Sequence, residues 1–429
     1  MGGTTKSDQT LFVRRFKIFA GSIFLAIALL FLIIKGWASD AVHSTEPHTI
    51  SESDRDIVDD EAVRRYRLRK KELTTALKKY FDSAIASGDI VGAGVSIVQG
   101  DSILIFEGFG KRSIDGKAKI DGKTIFRLGS LSKGFAGVLA ASLQADGLLD
   151  WNDKVVDYIP GFRFGDSLNT QKVKLSHILS HSSGTPYHSF TNLVEAGLPV
   201  ATIAQRFHEV TPISEPGAMY SYQNAMFSLS QEVMYTVTGK DIKDLLNNRF
   251  FKPLGMSTIS MEHHTLTEAK NVAMPHARRK NGWKSLPLTD HYYNAVVAGG
   301  INASSLDMAK WMRFLLGHNP EVLSPGTFQK AFNPFVEIGY NNKYYQRWPG
   351  HIQSHYGFGW RIHKFQEVDS RETKTMYHHG GSVNNYRNEI ALFPEADLGI
   401  CILLNGNSRL AQTVIPDVYA IVQKMYIDL

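Results

Sequence analysis

The sequence predicts an α+β fold, of the α/β type in the broad sense. An antiparallel sheet is built from both ends of the chain and flanked by helices, with an all-helical lobe inserted and a transmembrane helix in front. Three observations carry this prediction. β-rich runs stand at 94–107 and return only after Phe358. Between Asp146 and about Asn333 the pattern is mostly helical and broken by loops. Amphipathic helical patterns close both ends of the main domain, which can cover a sheet on one face.

The elements follow in order. Ile18 to Ile34 is uncharged and apolar. As a helix it is about 25 Å long, slightly short of a hydrocarbon core of about 30 Å. Lys17 and Lys35 can bridge the difference by snorkelling, and Trp37 suits an interface. Arg14, Arg15 and Lys17 precede the run, whereas Asp40, Glu46 and Glu52 follow it. The positive-inside rule then gives a cytoplasmic arm over 1–17, an anchor over 18–37 and an extracytoplasmic remainder. A cleaved signal peptide is the competing reading, because Ser39-Asp40-Ala41 suits cleavage. The length of the apolar run favours the anchor. Residues 38–63 are polar and acidic and read as a linker.

The domain proper is expected over 64–429. Arg64 to Ala86 reads as an amphipathic helix with a basic outer face. Gly94 to Gln99 and Ser102 to Glu107 flank Gly100-Asp101 and read as a hairpin. Phe358 to Ile362, Lys374 to Tyr377, Asn388 to Phe393 and Leu398 to Leu404 are strand candidates, and Val414 to Ile427 closes as a helix. A site is then expected in the cleft between sheet and helical lobe.

Composition bounds the partners. The chain is 43% hydrophobic and 21% charged, with a net charge of +6, part of it in the N-terminal arm. That argues for no nucleic-acid partner. A small-molecule or peptide substrate, and a membrane through the anchor, are the partners expected. The single cysteine, Cys401, allows no internal disulfide and lies in an apolar run, so it reads as a small buried hydrophobe. No cofactor is implied. His177 and His181 stand at i, i+4 without the glutamate or third ligand of a zinc site, and His263-His264 and His378-His379 lack ligand spacing, so no metal is expected.

The chemistry centres on Ser130-Leu131-Ser132-Lys133. Ser130 and Lys133 are three apart at the start of a helical run, which sets their Cβ atoms about 5–6 Å from each other. A serine hydroxyl needs a base beside it, and lysine serves only if burial or nearby cations lower its pKa from about 10.4. Ser132 is a poorer nucleophile, because Phe135 stands where its lysine would be. Two further elements follow in order: Tyr222-Gln223-Asn224 ahead of a helical run, and His379-Gly380-Gly381-Ser382 at the end of a predicted strand.

Together these resemble the serine β-lactamase and penicillin-binding protein superfamily, class C β-lactamases and their peptidase and esterase relatives above all. The resemblance covers roughly Leu73 to Ile427. Thr124 to Ser130, Leu179 to Gly184, Pro253 to Met256 and Ala298 to Ile301 also look like the family and read as structural. The resemblance implies a β-lactamase/transpeptidase-like fold and catalysis by Ser130, Lys133 and Tyr222, through an acyl-enzyme. Substrate binding is implied for Asn224, His379, Gly380, Gly381 and Ser382, the Ser382 and Ser130 N–H groups forming an oxyanion hole. The substrate is a β-lactam, a D-alanyl peptide or an ester. A penicillin-binding receptor without turnover, or a scaffold with the same fold, are the alternatives. One motif departs from the pattern: the family's Lys-Thr-Gly is His379-Gly380-Gly381 here. That takes a fixed cation away from Tyr222 and from the place of a substrate carboxylate. His379 is expected to lose its proton between about pH 6 and 7. The register His378-His379-Gly380 is the other way to align the motif. Tyr344, Tyr345 and Trp348 either rim the cleft or pack as a surface loop.

Overall fold

The computed structural model describes residues 52–340, 342–367 and 370–426. The apolar run 18–34 lies outside them. Among the described residues no helix is long and apolar enough to cross a membrane. By contacts the chain divides into two compact units, 1–65 and 66–429.

In the larger unit eight strands form one antiparallel sheet. They are β1 (Gly92–Gln99), β2 (Ser102–Gly110), β7 (Val336–Glu337), β8 (His351–Tyr356), β9 (Arg361–Gln366), β10 (Thr373–Val383), β11 (Tyr386–Phe393) and β12 (Leu398–Leu404). Their order is β2-β1-β12-β11-β10-β9-β8-β7, so the N-terminal hairpin pairs with the last strand and the sheet closes from both chain ends. Short pairs β3 (Ile125–Arg127) with β6 (Asn302–Ser304), and β4 (His276–Arg279) with β5 (Gly282–Ser285), lie outside it.

The two faces of the sheet bury different cores, as the period of 2 along a strand requires. One face packs under the helix Glu52–Ala86, through Leu73, Leu77 and Phe81, and under the C-terminal helix Val414–Tyr426. The other face and the helical lobe share a core around Phe135, Leu139, Phe227, Trp311 and Ile390. The central strand β12 is apolar along its whole length and wholly buried, Cys401 included.

Three details differ from expectation. The first helix begins at Glu52, inside the stretch read as linker. Mostly polar and acidic residues extend it past its apolar stripe, so hydrophobic period alone misplaces its start. Strands β7 and β8 were unforeseen. They form the sheet edge, where polar side chains face solvent and apolar alternation is weak. Phe358 to Trp360 form a turn, and strand β9 starts at Arg361.

Candidate active site

Strand β3 ends at Arg127, and the chain turns sharply at Gly129, whose φ is +58°. A Cβ there would sit 2.9 Å from the backbone nitrogen of Ser382, so only glycine lets this turn approach β10. Ser130 follows in a single 3-10 turn, Gly129–Leu131, that leads directly into the helix Ser132–Ala145. Ser130 therefore sits half-buried at a helix entrance, while Lys133 is driven into the core at 0% exposure.

Lys133 Nζ lies 3.2 Å from Ser130 Oγ, 2.8 Å from Asn224 Oδ1 and 2.8 Å from the carbonyl oxygen of Ala298. Asn224 opens the helix Asn224–Thr238 and gives its own amide N–H to Tyr292 Oη at 3.0 Å. The Lys133 nitrogen also stands 4.9 Å from the centre of the Tyr222 ring. Burial, with Arg361 second, pushes the Lys133 ammonium well below its ordinary range. The amine is thus favoured in its neutral form, with two N–H bonds and one lone pair. Asn224 Oδ1 and the Ala298 carbonyl each accept from Nζ, and Ser130 Oγ is its third partner, so a neutral Lys133 amine can keep two N–H bonds on the first two and turn its lone pair to the serine.

Tyr222 is 8% exposed, with Ser130 close enough to oppose part of the rise in its pKa. Burial raises its phenol to about 12, against the opposing pull of Arg361. The His181 ring packs on it with centroids 4.1 Å apart, and His181 Nδ1 accepts from the Gln223 N–H at 3.2 Å. So His181, weighed at first as a metal ligand, lies against the tyrosine.

The two histidines of β10 point opposite ways. His379 faces Tyr222, ring centroids 6.3 Å apart. Its Nδ1–H donates to the Gly380 carbonyl at 2.8 Å, and its Nε2 accepts the Tyr356 hydroxyl at 2.8 Å. His378 turns to the other face and meets Glu389 at 2.8 Å. The register with His379 beside Tyr222 is therefore the one adopted. The expectation that His379 titrates between pH 6 and 7 needs correction. Burial first, then the charge of Arg361, holds it well below its usual pKa, so a proton is disfavoured on it.

Sheet register supplies the last part. Strand β10 pairs with β9 from Thr373 to His378, and with β11 from Tyr377 to Val383. Among these pairings His379 to Val383 therefore have a partner strand on one side only, and the other edge is free along the Ser130 turn. Gly381 is pressed there, since a Cβ on it would lie 2.2 Å from the Leu128 carbonyl oxygen. Where β9 ends, opposite His378, stands Arg361.

Arg361 is the residue that sequence reasoning missed. Its guanidinium lies 4.8 Å from the Tyr345 ring centre, and its charge bears on Tyr220, Tyr344 and Tyr356. Its Nε and Nη1 are buried without a hydrogen-bond partner, and no carboxylate pairs with it among the described residues. A cation inside a strand that otherwise reads as apolar was the signal available. The question left open for the aromatic loop resolves in the same place: Tyr345 and Trp348 are packed under the sheet at 3% and 9% exposure, and Tyr345 carries the arginine.

Comparison with known proteins shows the fold and the family. The pattern of the Beta-lactamase family matches residues 77–421. Among curated proteins, the chain is similar to the unguisins hydrolase ungD' of Aspergillus campestris, at 25% identity over 330 residues, 74% of this chain and 59% of that protein. It is similar to protein flp of Staphylococcus aureus strain N315, at 23% identity over 343 residues, 78% of this chain and 63% of that one. The chain thus spans about three-fifths of the length of these curated relatives. Two solved structures share the fold. One is an octameric penicillin-binding protein homologue from Pyrococcus abyssi, with a TM-score of 0.68, 22% identity and coverage of 81% of this chain and 77% of that one. The other is EstCE1, described as a hydrolase with promiscuous acyltransferase activity, with a TM-score of 0.70, 18% identity and coverage of 83% and 99%. On the match across residues 77–421, this chain belongs to the Beta-lactamase family.

Proposed function

We propose that the chain is a serine hydrolase that works through a Ser130 acyl-enzyme. Its preferred substrates are esters, β-lactams or D-alanyl peptides that carry a carboxylate beside the scissile bond. The observation that carries the reaction is the placement of the buried Lys133 Nζ, 3.2 Å from Ser130 Oγ and held there by Asn224 Oδ1 and the Ala298 carbonyl.

The steps follow from the pKa directions. Lys133 accepts the Ser130 proton as Oγ bonds to the acyl carbon. The carbonyl oxygen takes the negative charge, beside the N–H groups of Ser130 and Ser382. One such donor is commonly worth about 10²–10³ in turnover. Tyr222, a neutral phenol, is suited to give its proton to the leaving group as the scissile bond breaks, and Lys133 returns a proton to Tyr222. Water attacks the ester by the same route in reverse. Asn224 holds Lys133 and can meet a substrate amide. The small residues Gly380 and Gly381 let an extended substrate lie along the free edge of β10.

Arg361 supports the preference for a carboxylate. It is half-buried on the Tyr345 ring with two buried nitrogens unbonded, and an anionic substrate can supply their partner. The Arg361 charge bears on Lys133, Tyr222 and His379, which supports a role for it in place of the cation missing at His379. Intact-mass spectrometry after incubation with a fluorescent penicillin, an activated neutral ester and a D-alanyl peptide tests both parts. Adducts should form and then decay, and Ser130→Ala should form none. Arg361→Gln should lower kcat/KM for the carboxylate substrates about tenfold to a hundredfold relative to the neutral ester. Labelling that survives Ser130→Ala removes the nucleophile from the proposal. An adduct that never decays makes the domain a binding receptor.

The run Ile18 to Ile34 supports a separate proposal, that an uncleaved anchor holds the domain outside the cytoplasm. A reporter fused after Leu429 should be active only outside the cytoplasm, and the protein should stay in membranes through a high-salt wash. A soluble product beginning near Ala41 would replace the anchor with a signal peptide.

A further inference from the structure

A cavity of about 640 Å³ lies against β9, β10 and β11 on the face away from Ser130. Its sheet wall is His363, Phe365, Met376 and Phe393, which alternation sets on the face opposite His379. The C-terminal helix supplies Ile415, Tyr419, Ala420 and Lys424, and Trp348 closes one end. The volume falls in the range of small-molecule sites, about 300–1,000 Å³, and the lining is largely apolar with a few polar groups, as such sites are.

The charges select the ligand. Glu367 reaches the cavity already neutralised by Lys374 at 2.7 Å and bound by Tyr419 and Gln423. His351 and His363 are held neutral by burial. Lys424 is exposed at the rim, and no carboxylate pairs with it among the described residues. An apolar pocket with one free cation at its mouth suits a chain with one anionic end.

The wall is wired to the active site. His351 Nε2 meets Ser354 Oγ at 2.7 Å, and Ser354 Oγ meets His363 Nδ1 at 2.8 Å. His363 Nε2 stands 3.3 Å from His378 Nδ1, and His378 Nε2 stands 2.8 Å from Glu389. Glu389 lies directly behind Gly380, where a Cβ would be 3.0 Å from its carboxylate. Gly380 sits between His379 and Gly381 on the free edge.

We propose that this cavity is a second ligand site, which takes a single-chain amphiphile with an anionic head, and that occupancy is transmitted to β10 through His363, His378 and Glu389. The apolar chain lies on Phe365, Phe393 and Ile415, and the head group pairs with Lys424. The transmission half rests on the reaction proposed for Ser130. The binding half does not.

The test uses the full chain in membranes and a fatty acid with a diazirine at its chain end. After irradiation, label should appear in peptides containing Trp348 to Phe365 and Ile415 to Lys424. Unlabelled dodecanoate should compete, and dodecanol should compete less. Ala420→Trp, at an exposed position that projects into the cavity, should abolish this labelling while leaving basal turnover unchanged. Lys424→Glu should weaken competition by the acid about threefold and leave the alcohol unaffected. Ser130→Ala should label as wild type does, which separates this site from the substrate cleft even if Ser130 proves inert. Labelling elsewhere, or labelling that Ala420→Trp leaves intact while circular dichroism shows a folded protein, overturns the site. For transmission, saturating dodecanoate should change kcat/KM in the wild type and leave Ala420→Trp unaffected. An unchanged kcat/KM overturns that half alone.

Discussion

Two histidines stand side by side on β10, both buried and both held neutral, yet their surroundings differ in kind. Behind the strand, His378 has a partner on each nitrogen, and Glu389 beyond it is met by His378, Tyr344 and Arg387 at 2.8 Å each. That network is closed. Beside the free edge, Arg361 keeps two nitrogens without partners, and His181 Nε2, Ser221 Oγ and both amide atoms of Gln223 are buried and unbonded as well. Buried polar groups are nearly always satisfied, so these atoms are open to a partner from water or substrate, as are others at Ser96, Asn294 and Asp307. The closed side fixes where β10 lies, and the open side leaves room for a substrate.

The largest effect that tests this contrast is expected at Lys133. Lys133→Met should slow acylation of Ser130 by about 10²–10⁴, the usual worth of a positioned base. It should also change how stability depends on pH. The folded site refuses a proton that the unfolded chain binds below about 10.4. Wild-type stability therefore rises with pH from the lowered folded pKa up to about 10.4, and Lys133→Met should lack that rise. Urea denaturation at pH 7 and pH 9 reads the difference. Parallel changes in both proteins would mean that Lys133 is an ordinary ammonium, and the lone-pair argument would fall with it.

How much of this the sequence discloses depends on how local each feature is. Ser130 and Lys133 share one helical turn, and Tyr222 and Asn224 flank one helix start, so spacing and motif place them. The hairpin β1–β2 and the apolar strand β12 are legible for the same reason, because their period or apolarity lies within a few residues. Arg361 is not. Its meaning comes from where β9 stops against β10, and register between strands far apart in sequence has no local signature. The network behind β10 is hidden likewise, for it draws His351 and Ser354 from β8, His363 from β9, His378 from β10 and Glu389 from β11. Only pairing brings these together. The expectation for His379 failed on burial: the ordinary pKa of histidine was assumed, and the fold places it among an arginine, a lysine and tyrosines.

A smaller effect is expected at Glu389. Burial raises its carboxyl to about 7, Arg387 and Tyr344 opposing, while burial with Arg361 and Arg387 lowers His378. The signs oppose. A raised carboxyl pKa costs stability as pH climbs from about 4.3 towards 7, and a lowered histidine pKa costs stability as pH falls below about 6.5. As pH falls below about 6.5 the unfolded pair takes a proton on His378, while the folded pair holds one on Glu389 and resists one on His378. The pair then contributes almost no slope. Glu389→Gln removes one side of that balance. Its stability should fall relative to wild type by about 1.4 kcal/mol per pH unit below 6.5, apart from any constant loss. His351 and His363 face the same network and titrate alike in both proteins, so the difference isolates the pair. A constant difference from pH 5 to 7 would show that Glu389 and His378 do not exchange a proton.

The smallest effect is the most direct test of the free edge. His379 is already satisfied as a neutral ring, donating from Nδ1 and accepting at Nε2. Burial and the charge of Arg361 both oppose a charge on it. The preference for a carboxylate substrate over a neutral ester should therefore stay flat from about pH 5.5 to 8, the range in which an ordinary histidine changes charge. His379→Lys should add little to that preference, because the cation that serves it is Arg361 on the neighbouring strand. In Arg361→Gln the same substitution should matter, since no other cation then stands at the end of the edge. The two changes together are expected to recover part of the lost preference, a coupling that a double-mutant cycle measures. A preference that declines as pH rises through 6.5 in the wild type and is untouched by Arg361→Gln would return the role to His379 and leave Arg361 as a strut for Tyr345.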